Sequence, residues 1–412
     1  MGEILFIAHR LPFPPDRGDK IRSHHLLKAL ARLAPVHVAS FADDEEDVAC
    51  EAELAAIAAS YCLVPRAKSL PRAGVEALVS GQPVSVAAFA DHRLRAYVRQ
   101  VLGERPIAAV FVFSGQMGHY VPDSWTGPLV VDFVDVDSAK FGAYASAARG
   151  PMRWLYGREE RLLQAEERRL AGRATTSLLV SEPEAALFRE RLATPAAVHE
   201  RVRALGNGID AGYYDPAIVG AEPRLSSGQG PNLIFTGQMD YPPNIAAVDR
   251  AVVRIMPLVR ARFPQASLHV VGRMPTAAVR ALDGINGCRV WGRVADVRPF
   301  LKAADIALVP LEIARGVQNK VLEAMAMALP VVATPDAATG IAATPGETFA
   351  LGGSDIELAD AVMALAADPV RARAMGCAAR AQVIAHHAWP VMLAGLSDLL
   401  GLKPAHSTRN AA

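Results

Sequence analysis

The sequence predicts an α/β protein of two doubly wound domains, on three observations. Short apolar runs rich in β-branched residues alternate with helical patterns along nearly the whole chain, as in parallel sheets covered by helices. The runs are almost continuously apolar, as strands buried on both faces should be. The alternation falls into two series, separated by AEPRLSSGQGP (Ala221–Pro231), which has the composition of a linker. At 412 residues the chain is long enough for two or three domains of ordinary size.

The first series predicts strands at EILFIAH, VHVASFA, AAVFVFS, LVVDFV and TSLLVS, with helices over Ser23–Leu33, Asp91–Leu102 and Met152–Leu170. The second predicts strands at NLIFTG, SLHVVG, CRVWG, DIALVP and PVVAT. Its helices are expected over Ile245–Arg262, Thr276–Asp283, Val297–Ala303 and Lys320–Ala328. The expected organisation is a first domain over 1–210, a linker over 211–230 and a second domain over 231–388. A helix within 389–402, opened by Trp389 and Pro390, is expected to pack back toward the first domain, and 403–412 reads as a disordered tail.

Composition narrows the function classes. Hydrophobic residues make up 51% of the chain and charged ones 21%, which excludes general disorder. The net charge of +1 removes any global electrostatic case for nucleic acid. The 4 cysteines lack CxxC spacing, so neither a disulfide scaffold nor a zinc site is expected, and a reducing cytoplasm fits. MGEILFIAHR reads as a first strand rather than a signal peptide. No stretch approaches the roughly 20 apolar residues of a membrane-spanning helix.

Ligands of open α/β sheets bind beyond the carboxyl ends of strands, so polar residues just after strands are the candidates. After the first strand, HRLPFPPDRGDKIRSHH (His9–His25) holds Arg17, Lys20 and Arg22 around Gly18, which permits close backbone approach. It reads as a phosphate site or as a solvated basic loop. VVDFVDVDSAKF (Val130–Phe141) offers Asp135 and Asp137, which read as a metal-binding pair, as a base or acceptor clamp (Asp135 above all), or as a helix cap (Asp137). ALGNGIDAGYYDP formally matches GxGxxA, but it closes a domain instead of opening a helix, so a turn or hinge is the reading.

In the second half, Gly237 ends a strand before Pro242, Pro243 and Asn244, and Gly292, Arg293 and Val294 end another. Arg315 lies in the loop before a helix whose first turn carries Lys320 and Glu323. Those two share a face; they read as a phosphate and a sugar or ribose contact, or as a surface pair worth a few tenths of a kcal/mol. RWLYGREERLLQAEERRLAGR (Arg153–Arg173) is amphipathic and arginine-rich, either a solvated helix or one that touches an anionic membrane.

In this order the motifs resemble a known family. GRVADVRPFLKAADIALVPL followed by NKVLEAMAMALPVVAT resembles the donor domain of family-four glycosyltransferases, which have the GT-B fold of two Rossmann-like domains facing each other across a cleft. LPFPPDRGDKIRSHHLLKAL and DFVDVDSAKF resemble the sugar transferases that accompany PEP-CTERM/exosortase exopolysaccharide clusters. The resemblance implies a retaining transfer of sugar from a nucleotide diphosphate to a hydroxyl of a glycan or polyprenyl-linked acceptor. It implies no metal or other cofactor; the location expected is cytoplasmic, with peripheral contact at the inner membrane face as an option. It makes Glu323 the second glutamate of the family's E-x7-E motif and Lys320 a diphosphate-binding lysine. Gly18 would face the donor phosphates, and Gly292 to Val294 would contact the base. The chain departs from the pattern at Arg315, where the first glutamate belongs, and at Gln238, Met239 and Asp240, which replace the usual basic residues after Gly237. Diphosphate neutralisation is then expected from Lys320 with Arg315 or Arg17, and acceptor-side chemistry from Asp135. The alternatives are a nucleotide-sugar 2-epimerase of the same fold and a non-catalytic sugar-nucleotide binding relative.

Overall fold

A computed structural model describes residues 2–15, 17–193, 195–225, 230–314, 317–341 and 344–402. The chain forms two compact units. One holds the residues through Gly206 together with those from Leu393 onward; the other runs Asn207–Met392. The segment 211–230 clusters with the second unit, and the expected tail 403–412 lies outside the described residues.

The first unit is built on seven parallel strands: β1 (Glu3–Ala8), β2 (Val36–Ala42), β3 (Ser60–Pro65), β4 (Ile107–Phe113), β5 (Leu129–Val134), β6 (Thr176–Leu179) and β7 (Val202–Ala204). Their order is β3-β2-β1-β4-β5-β6-β7, so the winding reverses between β1 and β4. Every residue of β1 and β2 is buried, which is why their sequences are apolar apart from Glu3, His37 and Ser40.

The second unit has six parallel strands: β8 (Asn232–Thr236), β9 (Ser267–Val271), β10 (Cys288–Gly292), β11 (Ile306–Val309), β12 (Val331–Ala333) and β13 (Ala350–Leu351). Their order is β10-β9-β8-β11-β12-β13, with the reversal between β8 and β11. Each reversal leaves a crevice at the carboxyl ends of two neighbouring strands, the place where such sheets bind ligands.

Several helices differ from expectation. The first begins at Gly18 rather than Ser23, so Gly18, Lys20 and Arg22 are helical and not part of a loop. The helix expected from Ile245 begins at Pro242 and loosens to π geometry over Ala251–Ile255. Pro257 follows and has no N–H to close an ordinary turn; the Asn286 side-chain amide donates to the Val252 carbonyl at 2.9 Å. The helix expected over Thr276–Asp283 is a single turn, Ala277–Arg280. The C-terminal helix is two short pieces, Trp389–Met392 and Leu396–Leu399, broken at Gly395.

Candidate functional site

The second unit gathers most of the predicted residues at its reversal point. Three neighbouring strand ends are glycines. Gly237 follows β8 and Gly272 follows β9, so close that a Cβ on Gly272 would stand 1.6 Å from the Gly237 carbonyl oxygen. The Gly272 amide donates to the Gly292 carbonyl at 2.9 Å, and Gly292 itself has φ +70°, a conformation suited to glycine. The result is a shelf of backbone bare of side chains, the kind of surface that admits a phosphate or a sugar.

Lys320 points at this shelf from the first turn of the helix Asn319–Ala326, which follows β11. Its Nζ donates to Asn244 Oδ1 at 2.8 Å and lies 5.2 Å from the centre of the Phe235 ring. Asn244, buried in the first turn after β8, in turn donates from Nδ2 to the Gln238 carbonyl at 2.8 Å. A Cβ on Gly237 would approach Asn244 Nδ2 to 2.9 Å and Lys320 Cε to 3.3 Å, so glycine there makes room for the pair. Burial pulls the Lys320 pKa down to about 8 against the opposing pull of Glu323. Its hydrogen-bond partner is neutral, and it makes no ion pair among the described residues.

Glu323 sits one helical turn on, with its accessible side partly open and its carboxyl densely surrounded. Burial raises its pKa, while a hydrogen bond from Tyr214 and the charge of Lys320 oppose the rise. Tyr214 has its own pKa pushed up by burial and then by Glu323, so it stays a neutral donor. Arg380 fixes this tyrosine's backbone: it donates to the carbonyls of Tyr214 at 2.7 Å and Ala211 at 3.3 Å, to that of Ala326, and pairs with Asp215 at 3.2 Å. A guanidinium at the end of the Asn319–Ala326 helix satisfies carbonyls that lack partners there. Of the remaining residues, Arg293 is exposed and Val294 packs on the core edge. Arg315 lies outside the described residues.

The first unit treats its charges differently. Arg10 and Arg17 both bridge Asp19 and Asp43, the Arg10 contacts being 2.7 and 2.6 Å and the Arg17 contacts both 3.1 Å. Lys20 is buried in an ion pair with Asp47, and Arg22 in one with Asp132 at 2.8 Å. Lys20 and Arg22 therefore carry their charge into the core and not toward an open face. Gly18 is exposed, and a Cβ there would meet nothing within 4 Å, so the backbone at the start of that helix is open.

Asp135 has an exposed outer side. Surrounding protein, then Glu184 and Asp137, push its carboxyl pKa up. Asp137 is not a helix cap: the N-cap of Asp137–Ala147 is Val136 and makes no side-chain bond. The free amides there are met from neighbouring helices, Val136 by Glu184 at 3.1 Å and Ser138 by Glu167 at 2.9 Å. Val134 and Ser114, at the ends of adjacent strands, have φ of +69° and +76°. Left-handed geometry costs a β-branched residue about 1–3 kcal/mol and concentrates at functional sites. The same unit holds two histidines whose pKa burial lowers. His9, buried, follows β1, stacks on Phe113 at 5.7 Å and is held neutral by burial; His119, half-buried, has its pKa lowered to about 4. Among the described residues no three His, Cys, Asp or Glu side chains are grouped as a metal site.

Sequence reasoning did not single out Gly272 or Tyr214, and took Asn244 only as part of a helix start. Gly272 was the legible one, since SLHVVG ends a strand in glycine as NLIFTG and CRVWG do. The other two become visible only once β8 and β11 are neighbours.

Comparison with known proteins places this site in a family region. Residues 230–368 match the family model described as "Glycosyl transferases group 1". The fold is GT-B. A sucrose-phosphate synthase from Thermosynechococcus elongatus superposes with a TM-score of 0.62 at 18% identity, covering 97% of this chain and 98% of that one. Anabaena Alr3699/HepE in complex with UDP gives 0.63 at 16%, covering 97% and 99%. At these identities the likeness shows the fold alone. A GDP-mannose-dependent monoacylated alpha-(1-6)-phosphatidylinositol monomannoside mannosyltransferase from Corynebacterium glutamicum is 31% identical over 226 residues, 50% of this chain and 58% of that protein. The match thus spans little more than half of that relative. The group 1 region contains the glycine shelf, Asn244, Lys320 and Glu323; Tyr214 lies before it.

Proposed function

We propose that the protein is a glycosyltransferase that takes a sugar from a nucleotide diphosphate bound at the second unit's shelf. The observation that carries this reading is Lys320, a half-buried ammonium with a neutral hydrogen-bond partner, standing over bare backbone inside the group 1 region. A diphosphate there would supply counter-charge beyond the pull of Glu323, and Glu323 would accept hydrogen bonds from the sugar or ribose hydroxyls. The mannosyltransferase relative is named for a GDP-mannose donor, and HepE is seen with UDP, which supports a nucleotide-sugar donor here.

On this reading transfer retains the anomeric configuration and needs no metal, because Lys320 and backbone amides neutralise the leaving diphosphate. Asp135, with its raised pKa, is the acceptor-side base or clamp. The acceptor is a hydroxyl of a glycan or lipid-linked glycan in exopolysaccharide or cell-envelope synthesis, met at the cytoplasmic face of a membrane.

The test is a panel of UDP-, GDP- and ADP-sugars read by thermal shift, followed by product analysis with and without an acceptor. A ligand held only by the folded state at a hundred times its Kd stabilises by about 2.7 kcal/mol. One nucleotide sugar should raise Tm, and its sugar should move to an acceptor hydroxyl with the same anomeric configuration. Interconversion of the sugar with no acceptor present would replace this reading with an epimerase. Binding with neither transfer nor hydrolysis would leave a sugar-nucleotide binding protein.

A further inference from the structure

The first unit carries a surface that sugar transfer does not use. The helix Leu70–Ser80 buries only small residues, Ala73 and Ala77. Its large aliphatics face outward: Leu70 is 71% exposed, Val75 63%, Leu78 56% and Val79 86%. The antiparallel helices Asp137–Ala147 and Pro151–Arg173 meet at a tip where Tyr144, Met152 and Trp154 are also exposed, Trp154 at 61%. Arg158 ties the two features together, donating to the Ala77 carbonyl at 2.8 Å and the Gln82 carbonyl at 3.2 Å. Trp154 stands one turn before Arg158, and Leu78 and Val79 directly follow Ala77.

The charge at the tip of the helix pair has one sign. From Ser138 to Arg158 the sequence holds Lys140, Arg149, Arg153 and Arg158 and no acidic residue. Arg153, Arg158 and Arg161 line a shallow depression with Trp154. The acids that border it are engaged. Glu159 is buried and accepts from the amides of Val84 and Ser85, both at 2.8 Å; Glu160 pairs with Arg191 at 2.9 Å; Glu76 pairs with Lys68 and Arg72. Exposed aliphatics in this number mark an interaction site. Aliphatics beside a tryptophan and a cluster of arginines are the composition of an interfacial membrane surface, and guanidiniums match phosphate geometry. Among the described residues no helix is long and apolar enough to cross a membrane, so the contact is peripheral.

We propose that this face docks on a bilayer bearing anionic headgroups. Leu70, Val75, Leu78, Val79 and Trp154 enter the headgroup boundary, and Arg153 and Arg161 take lipid phosphates. The proposal rests on the reading of a transferase that works at a membrane face, and names the surface it would use. The full chain is tested by co-sedimentation with vesicles of phosphatidylcholine mixed with phosphatidylglycerol, and with phosphatidylcholine alone. Binding should be at least tenfold stronger to the mixed vesicles and should weaken with salt. Leu78→Ser with Val79→Ser, and separately Arg153→Glu with Arg161→Glu, should each cut it at least tenfold. All these positions are exposed, so Tm and the nucleotide-sugar shift should stay unchanged. Loss of that shift in the wild type would remove the donor reading while leaving the vesicle result to stand. Equal binding to both vesicles, no binding, or variants that bind like the wild type would overturn the proposal. So would a dimer abolished by Leu78→Ser with Val79→Ser, which would make the face a protein interface.

Discussion

Replacing Lys320 with methionine should stabilise the free protein while weakening donor binding. Burial brings the lysine's pKa from 10.5 down to about 8, a displacement worth about 3 kcal/mol against the charged form. The sign follows from linkage: the unfolded chain holds the proton more tightly than the folded one. The penalty is therefore full below pH 8 and fades as pH rises toward 10.5. Methionine removes the charge and keeps the length. It also forfeits the Asn244 hydrogen bond, worth about 1 kcal/mol, and partial exposure of the side chain discounts the remainder. A net gain of about 1–2 kcal/mol remains at pH 7, which for a unit the size of Asn207–Met392 melting on its own is a Tm rise of about 2–6 °C. Binding moves the other way. A charge-assisted contact to phosphate is worth about 1.5–3 kcal/mol, so the best nucleoside diphosphate of the panel should bind roughly 10- to 150-fold more weakly. Wild-type affinity should also fall as pH rises above 8, because binding then requires uptake of a proton, and the variant should show no such fall. Calorimetric titration from pH 6.5 to 9.5, beside thermal melts of both proteins, measures all three effects. A variant that melts lower and binds as tightly as the wild type would make Lys320 a structural residue and refute the reasoning.

Three further outcomes follow from the same geometry. Glu323→Gln keeps an acceptor for Tyr214, so nucleoside diphosphate affinity should change less than about threefold while transfer falls on the order of a hundredfold, read by initial rates and titration. Glu167 is buried with its pKa raised to about 7, chiefly by burial; the folded state holds its proton more tightly, so its contribution to stability is full below 4.5 and lost as pH rises through 7. Glu167→Gln should accordingly gain up to about 3 kcal/mol on the wild type between pH 5 and pH 8, measured by paired denaturant melts. Transfer should be unchanged by EDTA; its loss would instead give Asp135 and Asp137 a metal.

Ten of the thirteen strands were legible in the sequence; β3, β7 and β13 were not, and all three are edge strands. β3 is only partly buried and ends at Pro65, while β7 and β13 have three and two residues. A continuous apolar run records burial on both faces; β3 lacks it and β7 and β13 are too short to show one, whereas the five-residue edge strand β10 was legible. Boundaries failed where a side chain far off in sequence does the capping: nothing near Val136 announces that Glu167 and Glu184 will meet the amides there. The site divided in the same way. Lys320, Glu323 and Gly237 were readable from their positions after strands, because the topology makes those positions converge. Asn244 and Tyr214 act through contacts 76 and 109 residues away, Asn244 with Lys320 and Tyr214 with Glu323, and no local pattern encodes such a distance.

The cluster of cations around Gly18 was the strongest electrostatic signal in the sequence, yet it is the less available charge. Arg10, Arg17, Lys20 and Arg22 each meet an aspartate, and an incoming phosphate would have to compete with a carboxylate already in place. Removing one partner of a buried pair strands the other, at a cost of about 3–5 kcal/mol. Arg22 therefore holds the first helix to its sheet and Lys20 holds it to the short helix Glu45–Ala49, and what the Gly18 region can offer an anion is its open backbone. Lys320 is the opposite case: a single lysine beside a neutral amide and an aromatic ring, with its charge disfavoured by burial. A cation that the fold pairs fully contributes to stability; one left short of a counter-charge costs stability until a ligand provides it. By that criterion Lys320 is the charge we propose for a phosphate, although the first unit holds more cations.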